Sequence, residues 1–174
     1  MASKINTQNT NLNLAFVAVA FIAIFSNIVA FMLQWILRED PCPLCMLQRY
    51  GFLFTSLMAL LSLSGFPYKK FNLLFLVLGI ILTMVIGLRQ ILLHIQSDGS
   101  GYGSPFFGLH LYTWSVVISL LFLVMLALAP LFDLSEQRLS QWVMQRFAII
   151  INSSISVVLL ITIMNLIMLA KNYL

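Results

Sequence analysis

Hydrophobic positions in this chain come in long unbroken runs rather than in alternation. Five stretches, 12–37, 44–64, 71–95, 111–132 and 147–170, are almost wholly apolar, and polar residues collect between them. Each is near or above the ~20 residues that cross a hydrocarbon core of about 30 Å. Backbone N–H and C=O groups inside lipid have no water to bind, so each run must satisfy them internally as a helix. The pattern predicts an all-α integral membrane helical bundle, one domain over residues 1–174 with five transmembrane helices.

The breaks between runs carry the chemistry of helix ends. Arg38-Glu39-Asp40-Pro41 closes the first run and Gly65-Phe66-Pro67-Tyr68-Lys69-Lys70 the second, while the Gly- and Ser-rich stretch from Ser97 to Pro105 closes the third. Between the fourth and fifth runs, Asp133 and Glu136 suit a helix cap, and Leu139, Trp142 and Val143 suit a segment lying along the membrane surface. The fifth run is diluted by Asn152, Ser153, Ser154 and Ser156, residue types that hydrogen-bond to neighbouring helices in lipid.

Composition sharpens this picture. Hydrophobic residues make up 61% of the 174 positions and charged residues 8%, against roughly 25% charged in soluble domains. A chain so poor in charge has lipid as its main solvent. The first run is too long for a signal-peptide core of about 7–15 residues and shows no small-residue cleavage site, so it is expected to stay as a spanning helix. The net charge of +4 is spread over nine Lys and Arg with no basic block, which speaks against nucleic acid and makes the cations topological markers. Lys4, Lys69, Lys70, Arg138 and Arg146 fall on one side, Arg38 and Lys171 most clearly on the other, with Arg49 and Arg89 inside helices near that second face. By the positive-inside rule the N-terminus is cytoplasmic and the turn at residue 42 faces the outer side of a bacterial inner membrane.

That turn holds the candidate chemistry. Both cysteines of the chain lie in Pro41-Cys42-Pro43-Leu44-Cys45-Met46-Leu47-Gln48-Arg49. Two cysteines separated by two residues can close a disulfide and open it again by thiol–disulfide exchange. The prolines suit a helix start, which puts Cys45 in the first turn of the second helix, where the helix dipole favours a thiolate. Arg49 follows four residues on, on the same face. Plainer readings stand beside this one. The cysteines with His94 and His110 supply four zinc ligands, and a disulfide across so short a loop can be a weak structural staple. Arg49 and Arg89 can snorkel to the headgroups, and His94 can be an interfacial hydrogen-bonder.

These residues resemble the bacterial disulfide bond formation protein B (DsbB) family. The likeness runs from the long first helix through Pro-Cys-x-x-Cys and Arg49, then through Gly87-Leu88-Arg89-Gln90 and His94. It ends with Phe107-Gly108-Leu109 and Trp114 leading into the fourth helix. The resemblance implies a four-helix core, here with a fifth C-terminal helix, that encloses a quinone at its outer edge. It implies an enzyme that reoxidises a periplasmic DsbA-like thioredoxin-fold dithiol protein and passes two electrons to ubiquinone or menaquinone. By position, Cys42 would meet incoming thiols, and Cys45 would face the quinone with its thiolate in charge-transfer contact. Arg49 would hold a quinone carbonyl, and His94 would line the same pocket. The family's second outer loop usually carries another cysteine pair. Here 96–108 has none, so either the partner attacks Cys42 directly or another protein supplies the missing pair. The hydrophobic segment after Arg146 is a second departure. Alternatives to a general disulfide-generating oxidase are an oxidase dedicated to one client or accessory protein, and a non-enzymatic membrane protein with a structural disulfide.

Overall fold

The structure, a computed structural model, describes residues 2–37, 42–63, 68–95 and 105–131, together with 156–157, 160–164, 166–167 and 170. Four long helices follow one another in the chain: α1 (Ala2–Leu37), α2 (Pro43–Leu63), α3 (Lys69–Ile95) and α4 (Leu111–Leu128). They overlie the first four apolar runs, and all four are long and apolar enough to cross a membrane. The described positions within 156–170 are helical, but most of the fifth run lies outside the described residues. The cap at Asp133 and Glu136 and the surface segment at Leu139, Trp142 and Val143 lie wholly outside them, as does the turn 38–41.

α1 starts ten residues before its apolar run, at Ala2 rather than Leu12. The apolar run marks where lipid begins, and nothing in 2–11 stops a helix, because that stretch holds neither Gly nor Pro.

The residue distribution is the inverse of a water-soluble protein's. Asn27, Gln34, Gln48, Arg49, Thr55, Thr83, Gln90 and Ser119 are buried, while Phe21, Phe25, Leu82, Leu92 and Leu120 are exposed. In water the exposed Leu and Phe would be a severe liability. Around a bundle in lipid they face the solvent they match, and polar side chains turn inward to find partners.

α2 is the hub. It packs most extensively on α3 and next on α1, while α4 leans chiefly on α3. Glycines set two of these approaches. A Cβ at Gly51 of α2 would collide with Thr83 of α3. A Cβ at Gly87 of α3 would lie 2.6 Å from Val116 Cγ2, 2.8 Å from Ser115 Oγ and 3.2 Å from the Tyr112 carbonyl on α4. Without side chains at these points the backbones close in, which in lipid replaces the hydrophobic drive to associate. The core that results joins Phe16, Val19, Ala20 and Ala23 of α1 to Phe52 and Leu60 of α2, Leu76 and Ile80 of α3, and Phe122 of α4. Phe52 and Phe122 meet edge to face at 6.0 Å.

Candidate functional site

The site is built at the start of α2. Pro43 opens the helix, a position where a missing N–H leaves nothing unsatisfied. Cys42 precedes it, and its carbonyl accepts the Met46 N–H at 3.0 Å. Cys42 therefore caps the helix with its backbone, and Cys45 lies in the first turn with its sulfur turned back beside it. Both are free thiols, partly exposed, and Cys45 is packed more deeply than Cys42.

One buried amide from α3 touches both sulfurs. Gln90, with no solvent exposure, donates from Nε2 to Cys45 Sγ at 3.2 Å and to Cys42 Sγ at 3.5 Å. Its Oε1 accepts from Gln48 Nε2 at 2.8 Å, and the Cys45 thiol lies 3.7 Å from the same oxygen. Gln48 thus fixes which end of the Gln90 amide faces the sulfurs. The Cys42 thiol, which sits just ahead of the membrane-spanning segment, is held down to about 6. The largest cause is its hydrogen bond with the Cys45 thiol. The backbone N–H groups of Cys45 and Leu44 and the charge of His94 act in the same direction, against the cost of burial. In the dithiol form these contacts favour a thiolate at Cys42.

Arg49 does not snorkel. It is buried, and its guanidinium donates to Gln34 Oε1 and, at 3.1 Å, to the Ala30 carbonyl, both on α1. Met46 Sδ lies 3.7 Å away. Neutral acceptors hold this cation in place, so its positive field is left to act on whatever enters beside it. Arg89, by contrast, is exposed.

Cys42, Cys45 and Arg49 all line one cavity of about 400 Å³ between α1, α2 and α4. Its walls are mostly apolar, with Ile22, Phe25, Val29, Phe52 and Ile118 among them, and its size is in the range of pockets that hold small organic ligands. Phe106 and Phe107 also line it, and Phe106 and Leu109 bond to each other through both backbone pairs, at 2.9 and 3.2 Å. Phe107 (φ 51°) and Gly108 (φ 78°) form the tip between them. Positive φ at both central residues is what a tight hairpin turn needs. Trp114 Nε1 donates to the Phe106 carbonyl at 2.9 Å and ties the turn to α4.

His94 is not among the residues lining this cavity. Its Nδ1 lies 2.8 Å from the Gln90 carbonyl one turn back, and its ring stacks on Tyr112 at 5.3 Å. His110 stacks on Tyr112 at 5.2 Å. Tyr112 itself lines the cavity, so His94 stands one ring away from it. Among the described residues no three His, Cys, Asp or Glu side chains form a group suited to a metal ion.

Sequence reasoning singled out Cys42, Cys45 and Arg49, and the structure brings them together. It gave no role to Gln34, Gln48, Gln90 or Asn27. The available signal was that each is a strongly polar side chain inside an apolar run, where polar residues earn attention by their cost.

The family model described as disulfide bond formation protein DsbB matches residues 12–101, which take in α1 from Leu12 onward and all of α2 and α3, and include Cys42, Cys45, Arg49, Gln90 and His94. No curated protein and no solved structure matches the chain.

Proposed function

The chain belongs to the DsbB family and is a multi-pass membrane oxidoreductase of disulfide bond formation, and from that premise we propose that it oxidises a periplasmic thioredoxin-fold dithiol protein through Cys42 and Cys45 and passes two electrons to a membrane quinone, ubiquinone or menaquinone. The observation that carries this reading is the convergence of both sulfurs and a buried guanidinium on one apolar cavity.

The residues fit a quinone. An apolar slot open to both sulfurs accepts a planar ring, and Arg49 provides a fixed donor and positive charge beside it. The bound quinone supplies the oxidising power, taking two electrons and two protons for each disulfide made. The chain's own residues do the rest. With Cys42 and Cys45 oxidised, a partner thiolate attacks Cys42 Sγ, the Cys42–Cys45 bond breaks, and the electron pair goes to Cys45, which takes up a proton released by the partner's second thiol. The partner's second thiolate then attacks its own sulfur in the mixed disulfide and releases Cys42, which leaves readily as a thiolate because its pKa is held near 6. Gln90 donates to whichever sulfur is charged. Arg49 favours the growth of negative charge in the cavity, and the apolar walls strengthen that field by excluding water. Re-forming the Cys42–Cys45 bond delivers the two electrons and returns the enzyme to its starting state.

The partner is expected to reach Cys42 directly or through another protein's cysteine pair, because the chain holds no further cysteine. The proposed orientation puts the Cys42 turn on the periplasmic side, which the bias in Lys and Arg supports.

The test is spectroscopic. Purified protein in detergent with added ubiquinone or menaquinone receives a reduced thioredoxin-fold dithiol protein, and quinone absorbance is followed with Cys45→Ser as control. Quinone loss that needs Cys45 is the expected result. Loss with dithiothreitol alone would keep the quinone site and point to a separate donor protein. No loss with either donor would overturn the proposal.

A further inference from the structure

Asn27 is a buried polar residue of the cavity that the reaction above does not use. It lies on α1, is 2% exposed, and lines the same cavity as the cysteines and Arg49. Its Nδ2 donates to the Ala23 carbonyl at 2.9 Å, which fixes the amide and leaves Oδ1 free of that bond. That oxygen is buried and has no hydrogen-bond partner. A buried acceptor without a donor is costly, and one placed on a ligand cavity is accounted for by a ligand that brings the donor.

The position along α1 says which part of a ligand that is. Asn27, Ala30 and Gln34 follow at i, i+3 and i+7, on one helix face. Arg49 is anchored at the Ala30 carbonyl and Gln34, so Asn27 lies about 4.5 Å below the first and about 10.5 Å below the second along the axis, at roughly 1.5 Å per residue. A six-membered ring with oxygens at opposite corners bridges such a span. The two anchors also differ in kind. Arg49 only donates, so it suits a carbonyl oxygen or a negatively charged one. Asn27 Oδ1 only accepts, so it suits a hydroxyl and gains nothing from a carbonyl.

We propose that Asn27 is a second anchor of the ring site, accepting a hydrogen bond from the hydroxyl that the inner ring oxygen carries only in the reduced, quinol form. The inference rests on the quinone reading above and adds to it a preference between redox states. The overall reaction is dithiol plus quinone giving disulfide plus quinol, and the hydroxyl hydrogen seen by Asn27 is one of the two taken up with the electrons. Asn27 transfers no proton and holds the protonated oxygen once it exists. Binding the quinol more tightly than the quinone draws the ring's reduction forward and makes product departure slower.

The test is calorimetric binding to the full-length protein in detergent, with a decyl-substituted 1,4-benzoquinone and its hydroquinone as probes. Wild type is expected to bind the hydroquinone more tightly. Asn27→Leu is expected to lose roughly five- to tenfold in hydroquinone affinity, the size of one hydrogen bond, with quinone affinity changed less than about twofold. Asn27→Asp, whose protonated carboxyl keeps a donor for Ala23 and an acceptor for the ligand, is expected to retain the preference. Should Asn27→Leu not fold, the hydroquinone dimethyl ether decides on wild type alone, because it keeps the ring and lacks the hydroxyl. Its binding at quinone-like affinity supports the assignment. Equal loss of both probes in Asn27→Leu, no loss of either, or ether binding as tight as the hydroquinone's would overturn the Asn27 role while leaving the quinone site in place. Failure of wild type to bind either probe would overturn the quinone reading itself and this inference with it.

Discussion

Gln90 Nε2 and Cys45 Sγ lie 3.2 Å apart although 45 residues separate them in the chain, and the same nitrogen reaches Cys42 Sγ at 3.5 Å. One amide on α3 thus ties together the two cysteines at the start of α2. Removing the amide takes away the side-chain donor the two sulfurs share and strands the Gln48 amide, which donates to Gln90 Oε1. Gln90→Leu is expected to slow dithiol-dependent quinone reduction about tenfold, the rate equivalent of one charge-assisted hydrogen bond. It is also expected to cost about 1–2 kcal/mol of stability through the orphaned Gln48. Turnover and melting temperature in detergent check both. Unchanged turnover in a folded variant would show that the contact is packing alone.

The Cys42 thiol titrates near 6, below the ordinary range of a cysteine, chiefly because the Cys45 thiol hydrogen-bonds to its charged form. A lowered value means that the thiolate is present above pH 6 and lost as pH falls through it. Alkylation of Cys42 in the reduced protein by iodoacetamide is therefore expected to slow about tenfold between pH 7 and pH 5, the change in thiolate fraction for that midpoint. In Cys45→Ala the leading cause is gone, and the midpoint is expected to move upward. Mass spectrometry of the Cys42 peptide reads both. A midpoint that stays near 6 in Cys45→Ala would assign the effect to the backbone N–H groups and His94 instead.

The parts of this molecule that are legible in its sequence are those set by lipid or by short spacing. Four helices announce themselves because a hydrocarbon slab demands the same long apolar run each time. Cys42, Cys45 and Arg49 are legible because a helix start and an i+4 step bring them together locally. Gln90 is not, since its place beside the sulfurs depends on the register of α2 against α3, which close packing of Gly51 on Thr83 helps to set. His94 shows the limit from the other side. The resemblance expected it in the cavity wall, and the structure sets it behind Tyr112, whose ring occupies the intervening layer. The position of α1 also escapes the pattern, because the apolar window ends at Leu12 while the helix continues to Ala2.

Gly87 holds α3 against α4 at the level of Tyr112. A methyl group there would come within 2.6 Å of Val116 and 2.8 Å of Ser115, and within 3.2 Å of the Tyr112 backbone. Side chains can yield in part, but the backbone carbonyl cannot move without the helix. Gly87→Ala is expected to destabilise the protein by about 1–3 kcal/mol, the usual cost of overpacking, and to weaken ligand binding in the cavity that α4 walls. Thermal unfolding in detergent measures the first effect. A melting temperature equal to wild type would mean that α4 shifts freely, and that its position does not depend on this contact.

Arg49 is held by Gln34 and by the Ala30 carbonyl, a planar fork reaching two acceptors on α1 at once. Lys carries the same charge but a single flexible donor head and cannot reproduce that fork. If Arg49 holds and polarises a quinone oxygen, its removal should damage the quinone side of the reaction and spare the thiol side. Arg49→Gln is expected to lower kcat/KM for quinone roughly a hundredfold, as loss of a buried transition-state donor does, with Arg49→Lys falling between. Exchange of the Cys42–Cys45 disulfide with a reduced thioredoxin-fold dithiol protein, measured without quinone by acid quench and alkylation, is expected to change less than about threefold. The comparison separates a role in the cavity from a merely structural one. A structural Arg49 would slow both half-reactions together and lower the melting temperature, and that outcome would remove it from the quinone site.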